Sequence, residues 1–157
     1  MPEHGEIPLV YLDTSVWLQV INPDDPHQMA DKLILAAADG RINLVASWLL
    51  RAEIQTSAGP NIEPSIVSAV DALLDNDGIR WVAVDRFVAA KALEVSRLTP
   101  RRLAGADAVH LATAVLEGAD YLMVIDKGFP RGKTIEGVKV VAPTVVWQED
   151  LFDSGTG

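Results

Sequence analysis

The sequence predicts an α/β sandwich built on a mostly parallel sheet. Apolar runs of strand length alternate with longer stretches of helical periodicity along the chain, and such alternation builds crossover units with parallel strands. The runs Ile7–Leu12 and Tyr121–Ile125 are apolar throughout, as strands covered on both faces are. At 157 residues, 49% of them apolar and 22% charged, the chain has the length and balance for one sizeable core.

The elements follow in order. Ile7–Leu12 is a buried strand. Helices are expected at Thr14–Ile21 and Gln28–Ala38, parted by the breaker stretch Asn22–Pro26. Ile42–Ala46 is a second strand, and Ser47 can cap a helix at Trp48–Ser57. Gly59 and Pro60 break the chain, and Pro64 suits the first turn of a helix running to about Asn76. Arg80–Val84 is a strand, and Asp85 is placed to cap a helix to Arg97. A loop holding Pro100 leads to a helix over Ala106–Glu117, closed by Gly118. Strands at Tyr121–Ile125 and Val138–Ala142 and a short helix at Thr144–Leu151 complete the pattern. With no internal repeat and no linker, residues 1–152 are expected to form a single domain, with a loose tail at 153–157.

Composition narrows the chemistry. Without cysteine there is no disulfide and no thiolate zinc site. No apolar stretch approaches the ~20 residues that span a bilayer, and Met1–Glu6 lacks a signal-peptide pattern. The expected setting is cytoplasmic, with no membrane partner. The net charge of −9 counts against a general nucleic-acid binder. Six of the 13 Lys and Arg residues, however, fall in two segments, Arg97, Arg101 and Arg102 in one and Lys127, Arg131 and Lys133 in the other. These are either solvated loops or a phosphate-contacting rim, with Arg101, Arg102, Lys127 and Arg131 as the candidates.

Four acids stand where hydrocarbon is expected. Asp13 ends one apolar run and Asp126 another. In parallel sheets ligands bind beyond the carboxyl ends of the strands, so neighbouring strands would aim both at one crevice. Glu53 lies two residues from Arg51 and from Gln55, which share a helix face, so it is expected on the core side with Leu49 and Leu50. Asp107 opens an almost wholly apolar helix, where the dipole favours a negative charge. Singly, Asp13 and Asp107 can be helix-start residues and Asp126 a turn residue, whereas Glu53 has no capping role. Together the four point to a hard divalent cation, Mg²⁺ or Mn²⁺, because all-oxygen donors select such ions. Hydrolysis of a phosphodiester is the chemistry that such a site serves best. His110, three residues beyond Asp107, is expected to be a core histidine satisfied by a hydrogen bond. Trp17, Trp48, Trp81 and Trp147 lie in apolar elements and are expected in the core or a dimer contact.

These residues resemble the PIN-domain ribonucleases, and among them the VapC-type toxins of toxin–antitoxin pairs. The resemblance runs from Val10 to Val141. Val10-Tyr-Leu-Asp13-Thr-Ser-Val16 is similar to the family's strand-one motif, and Glu53 to its second acid. Gly105-Ala-Asp107-Ala-Val-His-Leu-Ala-Thr-Ala114 resembles the third acidic motif, and Tyr121-Leu-Met-Val-Ile-Asp126-Lys-Gly-Phe129 the fourth. The resemblance implies a three-layer α/β/α fold and cleavage of RNA dependent on Mg²⁺ or Mn²⁺, with Asp13, Glu53, Asp107 and Asp126 as catalytic and metal-holding residues. It also implies a homodimer silenced by a cognate antitoxin, whose segment at the acidic pocket should be basic to suit the net charge. Val124 stands where the family often has Thr or Ser, so hydroxyl support would come from Thr14 or Ser15. The competing readings are a PIN fold that grips RNA or an antitoxin without cutting, and a receiver-like phosphoacceptor domain.

Overall fold

The computed structural model describes residues 5–21, 28–57, 63–76, 78–103 and 105–148. Strand β1 (Leu9–Leu12) leads to helices α1 (Thr14–Ile21) and α2 (Gln28–Ala38) and then to β2 (Asn43–Ser47). Helices α3 (Trp48–Ser57) and α4 (Pro64–Leu74) precede β3 (Ile79–Val82). Helices α5 (Arg86–Leu98) and α6 (Ala106–Leu116) precede β4 (Tyr121–Met123), and β5 (Thr134–Ile135) and β6 (Val138–Val141) follow.

The six strands are ordered β3-β2-β1-β4-β6-β5, all parallel except the β5–β6 pair. From β1 the chain steps outward through β2 to β3, then returns to lay β4 on the other side of β1. Right-handed crossovers in opposite directions put their helices on opposite faces of the sheet. Accordingly α1 packs with α2, α3 and α4, while α5 packs with α6. The result is a three-layer α/β/α sandwich. The reversal of direction between β1 and β4 is a topological switch point, where such sheets open a crevice at their carboxyl ends.

Burial on both faces explains the apolar strands. Val10, Tyr11 and Leu12 are at most 1% exposed. Capping follows the sequence. Ser47 Oγ accepts from Leu49 N at 3.1 Å, and Asp85 Oδ1 accepts from the amides of Phe87 and Val88, each at 3.0 Å. Pro64 occupies the first turn of α4.

Several expectations need correction: the second strand is Asn43–Ser47 rather than Ile42–Ala46, and the third is Ile79–Val82 rather than Arg80–Val84. The first strand begins at Leu9 rather than Ile7, because Pro8 has no N–H for a ladder and Ile7 lies in the open. The strand after α6 ends at Met123, because the Ile125 amide turns to Ser15 Oγ instead of a neighbouring strand. The segment 144–148 is not helical. Adjacent β-branched Val145 and Val146 disfavour so short a nucleus, and the rest of that expected helix lies outside the described residues, as does the tail at 153–157. Strand β5 was not expected. It returns through Glu136 and Gly137, with φ of 45° and 88°, a turn whose first central residue is usually Asn, Asp or Gly.

Candidate functional site

The β1–β4 register aligns Leu12 with Met123, and the Asp13 amide continues the ladder to Met123 O at 3.0 Å. Asp13 and Asp126 therefore leave adjacent strands at the same edge of the sheet. Asp13 is buried. Its Oδ2 accepts from Ser15 Oγ at 2.7 Å and from Ser15 N at 3.2 Å, so it also caps α1. The Ser15 hydroxyl accepts in turn from Ile125 N at 3.1 Å. One hydroxyl thus ties the exit of β1 to the residue preceding Asp126. Val124 lies wholly in the core.

Glu53 is not the core-facing residue expected. Leu50 and Ile54 hold the buried stripe of α3, and the Glu53 side chain is 30% exposed at its margin. There Oε1 accepts from Thr14 Oγ1 at 2.8 Å and from His110 Nε2. The His110 hydrogen bond holds the Glu53 carboxyl below its usual range, with help from Thr14 and against the opposing effect of burial.

His110 is wholly buried, as a core histidine would be, but its partners are site residues. Nδ1 lies 2.5 Å from Tyr11 Oη, and Tyr11 Oη accepts from Ser47 N at 3.3 Å. Burial pushes the Tyr11 hydroxyl strongly upward, so it stays protonated. A buried hydroxyl proton needs an acceptor, and Nδ1 is the acceptor at hand. That leaves the ring hydrogen on Nε2, where it is donated to Glu53. No role was expected for Tyr11. The signal lay in spacing: Tyr11 shares a strand face with Asp13, and His110 a helix face with Asp107.

Asp107 sits half-buried in the first turn of α6. Gly105 precedes the helix at φ 57°, a conformation that glycine adopts without steric penalty. Burial pushes the Asp107 carboxyl upward, the charges of Asp13, Asp126 and Glu53 push the same way, and His110 opposes them. Asp107 thus feels the other three acids together. Asp126 is exposed, and its Oδ1 accepts from Gly128 N at 2.9 Å in a turn. Among the described residues no three His, Cys, Asp or Glu side chains form a ready-made metal cage. The donor set still fits a hard cation. Mg²⁺ keeps several waters and takes only one or two carboxylates directly, and the mutual repulsion felt at Asp107 is what a cation relieves.

Arg101, Arg102, Lys127 and Arg131 are all exposed. None forms an ion pair among the described residues, in contrast to Arg51, Arg80 and Lys91. The tryptophans divide. Trp17 is buried as expected, but Trp48 is 49% exposed and stacks on Trp81 with ring centroids 4.8 Å apart.

The family model described as "PIN domain" matches residues 10–134. The chain belongs to the PIN domain family. As a PIN domain it has solved structural relatives at low identity. VapC20 of Mycobacterium tuberculosis, described as a sarcin–ricin loop cleaving toxin, is 20% identical to this PIN-domain chain with a TM-score of 0.60, over 75% of this chain and 90% of that one. VapBC2 of Rickettsia felis, solved with a DNA fragment from its promoter, is 19% identical with a TM-score of 0.62 over 89% of this chain and 99% of that one. A toxin–antitoxin complex from Klebsiella pneumoniae gives 19% and 0.61 over 87% and 99%. A search of curated proteins finds no match. None of the described helices of this PIN domain is long and apolar enough to cross a membrane.

Proposed function

We propose that this PIN domain is a metal-dependent endoribonuclease and the toxin of a toxin–antitoxin pair. The observation that carries the reading is the electrostatic convergence of Asp13, Glu53 and Asp126 on Asp107 at the switch point of the sheet. It gains support from structural relatives described as a sarcin–ricin loop cleaving toxin and as a toxin–antitoxin complex.

Asp13 and Asp107 would hold Mg²⁺ or Mn²⁺, with Asp126 and Glu53 beside them. A bound ion of this kind supplies an activated water nucleophile and charge stabilisation for phosphodiester hydrolysis. Glu53, kept ionised by His110 and Thr14, offers an oriented acceptor for a proton at its carboxylate. Ser15 fixes the Asp13 carboxylate against the exit of β4. Arg101, Arg102, Lys127 and Arg131 position phosphates at the rim. The protein works in the cytoplasm as a homodimer, and an antitoxin with a basic segment silences it by competing for the acidic pocket.

The test is cleavage of labelled RNA by purified protein. Cleavage is expected with Mn²⁺ or Mg²⁺, is lost in EDTA, and falls by at least two orders of magnitude in Asp13→Asn, on the scale of other groups that act on the transition state. Retained RNA binding with no cleavage under any divalent ion would instead make the chain a non-catalytic binder.

A further inference from the structure

We infer that Tyr11 and His110 are positioning residues that aim the Glu53 carboxylate into the acidic crevice through a buried hydrogen-bond relay. The relay runs from the Ser47 amide to the Tyr11 hydroxyl, from that hydroxyl to His110 Nδ1, and from Nε2–H to Glu53 Oε1. Its two central members are at most 1% exposed, so packing locks the links among Ser47, Tyr11 and His110, and the last link reaches Glu53 at the margin of the crevice.

The relay's place in the fold gives it its effect. Tyr11 lies on β1, two residues before Asp13, and His110 lies on α6, one turn after Asp107. Glu53 is carried by α3, and Ser47 ends β2. The relay therefore joins the three elements that carry Asp13, Asp107 and Glu53. Thr14 reinforces it from β1's exit by donating to the same Glu53 oxygen. With Oε1 engaged twice, the orientation of the carboxylate is fixed and Oε2 is turned away from the relay. The sense of the relay is fixed as well. Were the ring hydrogen on Nδ1 alone, the Glu53 carboxylate oxygen would face a bare ring nitrogen at hydrogen-bond distance.

The inference rests on the nuclease reading only for its activity arm. The full chain, labelled with ¹⁵N-histidine, reports the ring directly: the His110 shifts should show hydrogen on Nε2 and an acceptor at Nδ1. In Tyr11→Phe, which removes one hydroxyl, that signature should give way to a mixture. Mn²⁺ affinity, read from water-proton relaxation, should fall about 10-fold or more in His110→Leu, as it does when groups that orient metal ligands are removed. His110→Gln places an amide N–H near the Nε2 position and should restore most of that affinity. In RNA cleavage kcat should fall in His110→Leu while KM for RNA holds, because the relay touches no phosphate. Hydrogen on Nδ1 in the wild type, or equal Mn²⁺ loss in Leu and Gln variants that both remain folded, overturns the inference. If His110→Leu does not fold, the Tyr11→Phe ring signature alone decides. A wild type that cuts no RNA sinks the nuclease reading and leaves the ring and Mn²⁺ arms to judge the relay.

Discussion

Asp107 shows in one side chain how this site sets stability against function. Burial and three neighbouring acids raise its carboxyl, so the folded chain holds a proton there more tightly than the unfolded chain. The ionised form therefore opposes folding. That penalty is absent well below the ordinary Asp value near 3.9, where Asp is protonated in both states, grows as pH rises from there towards the raised value, and is complete above it. Glu53 has the opposite sign: its lowered carboxyl stabilises the fold above the ordinary Glu range, and the contribution fades as pH falls through the lowered value. Asp107→Asn should accordingly raise the melting midpoint of the metal-free protein at neutral pH, with little change near pH 4. A rise of a few degrees is expected, since about 1 kcal/mol moves a domain of this size by roughly 2–4 °C. The same variant should lose the stabilisation that Mn²⁺ gives the wild type, because an ion bound only to the native state acts by mass action. Calorimetry with EDTA and with Mn²⁺ reads both effects, and a destabilised Asn variant at neutral pH would place Asp107 in a structural role.

The helices carry their limits in local chemistry. α1, α2 and α3 begin and end where periodicity and caps place them, because each boundary is set by residues within one turn. Asp85 illustrates the magnitude. Its carboxylate serves two amides at the start of α5 and is not among the four acids of the crevice. Asp85→Ala should cost about 1 kcal/mol, or roughly 2–4 °C in midpoint, with RNA cleavage unchanged; thermal melts and a cleavage assay check it together. The strands were less legible, because their ends depend on a partner. Nothing near Ile125 announces that its amide will turn to Ser15, 110 residues away. Strand β5 has two residues and exists through its pairing with β6. The site divides in the same way. Asp13 could be assigned to a strand end from the chain alone, and Asp126 to the same edge of the sheet, three residues beyond the end of β4. The margin position of Glu53 depends on Thr14 and His110, contacts across 39 and 57 residues, which helical periodicity does not contain.

Across the whole molecule the net charge of −9 opposes RNA, and the exposed cations Arg101, Arg102, Lys127 and Arg131 counter it locally. Because each phosphate neutralised releases counterions, every contact adds about 0.7 to the salt slope for a single strand. Replacing all four by Ala should weaken RNA binding and flatten the slope by up to about 3 if every contact is made. Binding isotherms at several salt concentrations read this, and an unchanged slope would make the four ordinary surface charges.

The pairing of β1 with β4 has a consequence in time. Asp13 leaves the ribosome well before the strand beside it, which is made only when the chain reaches Tyr121–Met123. At about 5–20 residues per second, Asp126 follows Asp13 by roughly 6 to 23 s. Until then Asp13 has neither its ladder bond to Met123 nor the amide that anchors Ser15. A nascent chain therefore carries three of the four acids without the crevice that unites them. On the nuclease reading, the cell has that interval, on every chain it makes, before the protein can cut anything.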